Sequence, residues 1–229
     1  MLKLKIRQQE LIVLRLENEN LYLLLKHSDD QPRDDHGRWT SDGSGSGAGL
    51  TGGGDSGTMD LSDSSAEWKP VTQESIESVQ NVTCFNDPKL NAAVTENCKQ
   101  ILSDVKDDPV GTEETISLKI SDLKPVVSKG VPASGTVKPI TLEEPYISIH
   151  NHPSGKTFSE SDVSRFISSE NAKAICVVGN NGKVYILSKK DDYDWESSQR
   201  KLIDIAGQPN YIELLTKGAD RYGFTYYES

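Results

Sequence analysis

The chain has few cysteines, an acidic rather than basic balance and no long apolar run, and each shortage removes a class of function. Cys84, Cys98 and Cys176 are an odd number at wide spacing with no Cys-x-x-Cys pair. A disulfide scaffold and a cysteine-rich structural zinc site are therefore not expected, and reduced thiols in a cytosolic setting are. Cys176, between Ile175 and Val177, reads as core. With 25 Lys and Arg against 35 Asp and Glu, the formal net charge is −10, which argues against a general nucleic-acid binder. The apolar run from Leu11 to Leu14 is too short for a bilayer, and Arg15, Glu17 and Glu19 interrupt the residues after it. Neither a membrane span nor a signal peptide is expected. There is no glycine-rich phosphate loop.

Three unequal parts are present. Over residues 1–26, Leu4, Leu11, Leu14, Leu21 and Leu25 recur at helical spacing among charged residues, which predicts an amphipathic helix suited to self-association or docking. Residues 27–66 turn to Gly, Ser, Asp and Thr, too poor in apolar surface to offset ordering entropy, and read as a disordered linker. Residues 67–229 have the composition of one folded domain. Helical periodicity runs from Leu90 to Val105, and strands are expected near 115–120, 123–128 and 145–150, then a helix from Ser159. Ala172–Val178 reads as a buried strand turned by Asn180-Asn181-Gly182 into a hairpin with Lys183–Leu187. Residues 191–218 look helical in two pieces, broken near Gly207-Gln208-Pro209. This order implies an α/β layered domain with a mixed sheet.

The chemistry concentrates in residues 148–162, Ser-Ile-His-Asn-His-Pro-Ser-Gly-Lys-Thr-Phe-Ser-Glu-Ser-Asp. On a strand, His150 and His152 share a face while Asn151 points oppositely. Pro153-Ser154-Gly155 ends the strand. Ser159 reads as a helix N-cap, which puts Asp162 in the first turn, where its carboxylate can swing toward the histidines. Taken singly, these residues also fit a strand end and a capping box. Together, two imidazoles and one carboxylate suit a catalytic zinc site with an open fourth position better than a structural one, and water there would be acidified toward a pKa of about 7.

The same stretch resembles the JAMM (JAB/MPN-type) zinc metalloprotease motif, His-x-His-Pro then Ser-x-x-Asp, and its Pro-Ser-Gly is similar to the bacterial and phage, RadC-like branch. The loop Pro153–Phe158 is one residue shorter than in the common form. The resemblance covers roughly residues 88–190 and implies a JAMM-like (cytidine-deaminase-like) fold. It further implies zinc on His150, His152 and Asp162, an upstream glutamate as general base, and a Ser159 hydroxyl that hydrogen-bonds the oxyanion. Gly111-Thr112-Glu113 resembles the glutamate motif of phage-type members, which assigns the base to Glu113. Glu114 projects to the opposite face of the strand, and a bulge at the strand start would exchange the two. Glu143 and Glu144 are rivals that read as loop carboxylates before Pro145.

The implied activity is metal-assisted hydrolysis of an amide bond in a protein or peptide partner. The alternative is a catalytically inactive JAMM-fold binding or assembly module. A zinc deaminase fits poorly, because Pro-Cys-x-x-Cys is missing. Gln31-Pro-Arg-Asp-Asp-His-Gly-Arg-Trp39 resembles a segment of phage head-associated proteins. It points to a phage or prophage origin, to phage structural proteins as partners, and to the host cytoplasm or the virion as the location. The Gly130–Pro139 loop, with two prolines and two glycines, is expected to border the cleft.

Overall fold

The computed structural model describes residues 68–202, 204–206 and 208–229. The helix expected over 1–26 and the linker expected over 27–66 lie outside the described residues. The described part is a mixed α/β unit built on one six-stranded sheet.

Two helices come first, α1 (Gln73–Ser78) and α2 (Pro88–Val105). The short α1 is held by a reciprocal capping box between Thr72 and Ser75. In α2, Asp87 caps the amide of Lys89 and Pro88 occupies the first turn, where its missing N–H leaves no intrahelical bond unmade. Its buried stripe, Leu90, Val94, Cys98, Ile101, Leu102 and Val105, recurs at the helical period.

The strands are β1 (Glu114–Lys119), β2 (Pro125–Lys129), β3 (Tyr146–His152), β4 (Ala172–Gly179), β5 (Val184–Lys189) and β6 (Phe224–Glu228), in the spatial order β2-β1-β3-β4-β5-β6. Only β3 and β4 run parallel; the other pairs are antiparallel. A parallel pair needs a crossover, supplied here by α3 (Glu160–Ser168), the helix expected from Ser159. The β4–β5 hairpin turns at Asn180-Asn181-Gly182 as expected, with Gly182 at φ +84° and its amide bonded to the Gly179 carbonyl at 2.8 Å.

Strand alternation divides the apolar residues between two cores. Ile116, Leu118, Ile147, Ile149, Cys176, Val178 and Ile186 pack beneath α2, in a cluster with its buried stripe. On the other face, Ile175, Val177, Tyr185 and Leu187 pack with Val163, Phe166 and Ile167 of α3. That second cluster also takes in Leu202 at the end of α4 (Trp195–Leu202), Leu215 of α5 (Tyr211–Lys217), Tyr222 of a subsequent 3-10 turn and Phe224 of β6. Removing a side chain such as Ile149 or Leu187, each 0% exposed, would cost about 2–5 kcal/mol. Cys176 is buried, as its neighbours implied. No helix among the described residues is long and apolar enough to cross a membrane.

Candidate metal centre

β3 ends at the site. Its register with β1 sets Thr115 opposite His150, and its parallel register with β4 sets His152 opposite Gly179. The histidines therefore project from the middle of the sheet. The His152 carbonyl accepts the amides of Gly155 and Asn180, both at 3.0 Å, which closes the turn after the strand. Gly155 sits at φ +77°, a conformation that favours glycine.

His150 Nε2 and His152 Nε2 approach to 3.1 Å. Asp162 Oδ1 lies 3.4 Å from His150 Nε2, and Asp162 Oδ2 lies 3.2 Å from His152 Nε2. All three residues are buried. Two imidazole nitrogens that approach each other and a carboxylate this closely are a donor set that could share one cation. Zinc bonds of about 2.0–2.1 Å at a tetrahedral angle put donor atoms about 3.3 Å apart, close to the separations found. The group can hold a metal ion.

Neighbouring groups orient the ligands. His152 Nδ1 contacts the Thr157 carbonyl at 2.9 Å; donation of an N–H there leaves Nε2 with its lone pair toward the centre. Ser159 caps α3 as expected: its Oγ accepts the Asp162 amide at 3.1 Å, and its own amide donates to Asp162 Oδ2 at 2.9 Å. The hydroxyl itself donates to Asp162 Oδ2 at 2.7 Å. Ser159 thus holds the carboxylate in place while standing at the cleft wall. Burial alone would raise the Asp162 pKa, but when the imidazoles carry protons in place of an ion, the charge of His150 and the hydrogen bonds from both rings outweigh it and hold the carboxyl well below its usual range.

Glu113 immediately precedes β1 and lines the same cleft as His150, His152, Ser159 and Asp162. Continuing the β1–β3 register sets it across from His152. Glu114 is turned to the α2 side. Burial, then the neighbouring Asp104, pushes its pKa up to about 7. No bulge exchanges the pair. Glu144 is engaged elsewhere, ion-paired with Lys119 at 2.8 Å and accepting from Ser121 Oγ at 2.7 Å. The cleft lining does not include Glu143.

Gly135, Thr136, Val137 and Pro139 form one wall, so the Gly130–Pro139 loop does border the cleft. The Gly135 amide donates to the Gly111 carbonyl at 2.8 Å. Both glycines have positive φ and lie against the Trp68 ring, where an added Cβ would fall 2.1 Å from it at Gly111 and 2.5 Å at Gly135. Two further lining residues, Ser161 and Arg165, carried no signal in the sequence. Ser161 Oγ lies 2.9 Å from Ser159 Oγ, and Arg165 stands one helical turn beyond Asp162.

No known protein family, no curated protein and no solved structure matches the chain. The site's chemistry rests on its own residues.

Proposed function

We propose that the chain is a zinc-dependent peptidase or isopeptidase of JAMM type, acting on an amide bond in a protein or peptide partner. The observation that carries this reading is the convergence of His150 Nε2, His152 Nε2 and Asp162 at tetrahedral donor spacing in a cleft that Glu113 also lines. His150, His152 and Asp162 would hold the ion. When bound, zinc supplies a Lewis acid that acidifies water and polarises a carbonyl. Three protein ligands, none of them cysteine, leave room for a substrate or water.

Glu113 is the proton carrier in this reading. It accepts a proton from the attacking water and returns it to the leaving amine, so that the peptide C–N bond breaks after the new C–O bond forms. The Ser159 hydroxyl stands beside Asp162 and, by turning its donor from the carboxylate, would bond the oxygen that becomes negative. Its second role as helix cap fixes that hydroxyl at the cleft wall. The Gly130–Pro139 loop would contact the substrate. A phage or prophage origin, with a structural protein as partner, is part of the same proposal and is supported by the Gln31–Trp39 resemblance together with the phage-type look of Gly111-Thr112-Glu113 and Pro153-Ser154-Gly155.

The test is zinc per chain by elemental analysis on the full-length protein and on a folded His150→Ala, His152→Ala double variant. About one zinc in the first and none in the second supports the reading. The next step is a search for cleaved peptides and isopeptides, with Glu113→Gln as control. No zinc in the parent after reconstitution rejects it in favour of a non-catalytic assembly module.

A further inference from the structure

We infer that Asn151, which separates the two histidines in sequence, is the positioning residue for Glu113; this rests on the metallohydrolase reading above. Asn151 is 0% exposed. Its Oδ1 accepts the Glu114 amide at 2.8 Å, and its Nδ2 donates to the Thr112 carbonyl at 3.1 Å. Those two groups belong to the two peptide planes on either side of the Glu113 Cα. Because each peptide is planar, fixing both planes fixes φ and ψ at Glu113 and with them the direction of its Cα–Cβ bond. One side chain, anchored on the same strand as both histidine ligands, thus sets where the base carboxylate starts.

The chemistry of the amide matches this task. It offers an acceptor to the N–H on one side of Glu113 and a donor to the C=O on the other. Aspartate would set an oxygen against the Thr112 carbonyl, and leucine would leave both backbone groups unpaired. The orientation of the amide is itself fixed, since Nδ2 also donates to Asn180 Oδ1 at 3.1 Å. Asn180 in turn donates from Nδ2 to the Lys69 carbonyl at 2.7 Å and from its backbone to the His152 carbonyl at 3.0 Å. Ligand strand, hairpin turn and base are joined by these bonds. The Gly130 amide, donating to the Glu113 carbonyl at 2.8 Å, restrains the same residue from just beyond β2. A misplacement of about 1 Å at such a group can lower a rate by about a hundredfold.

The test uses the full-length chain loaded with Co2+ in place of Zn2+ and reads the visible d–d absorption at one fixed pH, with cobalt content and a thermal melt. The variants are Glu113→Gln, Asn151→Ala, Asn180→Ala and the Glu113→Gln, Asn151→Ala double. The expected result is about one cobalt per chain throughout. Asn151→Ala moves the bands in the direction Glu113→Gln moves them, Asn180→Ala moves them less, and the double variant moves them no further than Glu113→Gln alone. A folded, cobalt-loaded Asn151→Ala with the parent's spectrum, beside a shifted Glu113→Gln, overturns the inference and leaves the site reading standing. If Asn151→Ala does not fold, Asn180→Ala decides: a shift supports the inference and an unchanged spectrum overturns it. A parent that takes up no cobalt removes the site reading and this inference together, whereas a cobalt-loaded Glu113→Gln with the parent's spectrum leaves the metal site standing and overturns the inference along with the assignment of Glu113.

Discussion

Glu113 and Glu114 are adjacent in the chain and end on opposite sides of the sheet: Glu113 lines the cleft with His150 and His152, while Glu114 is buried toward α2 in contact with Asp104. The two carboxylates should therefore separate cleanly by substitution. Glu113→Gln is expected to keep its zinc and lose roughly 100-fold or more in kcat on any substrate identified, the range for removal of a positioned general base. Glu114→Gln is expected to retain both. Equal losses in the two variants would contradict the assignment.

Glu114 gives the fold a pH signature of its own. Its pKa is raised from 4.5 to about 7, first by burial and then by Asp104. A raised folded-state value means that the folded chain binds the proton more tightly than the unfolded one. The stabilisation is fully present below about pH 4.5 and is lost as pH rises through about 7. Denaturant melts of the parent against Glu114→Gln should show the variant gaining relative to the parent between about pH 5 and pH 8, by on the order of 1–3 kcal/mol. A difference that does not change across that window would show that Glu114 ionises freely.

Metal removal should be read in stability as well as content. A ligand that binds only the folded state adds about 2.7 kcal/mol at a hundredfold excess over its Kd, which in a domain of this size raises Tm by about 5–10 °C. Zinc should raise the Tm of the chelator-stripped parent by that amount and leave the His150→Ala, His152→Ala variant unmoved. A shift of the same size in both would place the stabilising ion elsewhere.

The thiols report on the core beneath α2. Cys98 Sγ and Cys176 Sγ lie 3.6 Å apart in full burial, and burial pushes the Cys176 pKa well up and that of the half-buried Cys84 to about 11. An aromatic disulfide reagent at about pH 8 should modify Cys84 slowly and the other two only on unfolding. Rapid reaction of two or three thiols in the native chain would contradict the packing of α2 on β4.

Much of the site is legible in the sequence because its ligands are close together and their geometry obeys local rules. Alternation in β3 places His150 and His152 on one face, and the capping box at Ser159 places Asp162 in the first turn of α3. Alternation also separates Glu113 from Glu114, but which of them faces the histidines depends on the register of β1 against β3, a property of two strands rather than of one. The long amphipathic helix α2 and the hairpin at Gly182 are equally plain. The six-residue α1 is not, since its capping box stands outside any long periodic stretch. β6 escapes a reading of the sequence because Phe224–Glu228 becomes a strand by pairing with β5 after a 3-10 turn. The approach of Arg165 and the seating of Gly111 and Gly135 on Trp68 depend on loop paths that no periodicity encodes.

The three candidate metal ligands all fall between residues 150 and 162, on one strand and one helix start joined by a turn. Glu113 comes to them through the pairing of β1 with β3, the side chain of Asn151 and the Gly130 amide. Capture of an ion would thus be a short-range property of the chain, and its use a long-range one. If the chain is the proposed metallohydrolase, loosening at the β1 end of the sheet would leave the grip on metal while removing the proton carrier, and the metal content of a preparation would set an upper bound on its competent fraction without measuring it.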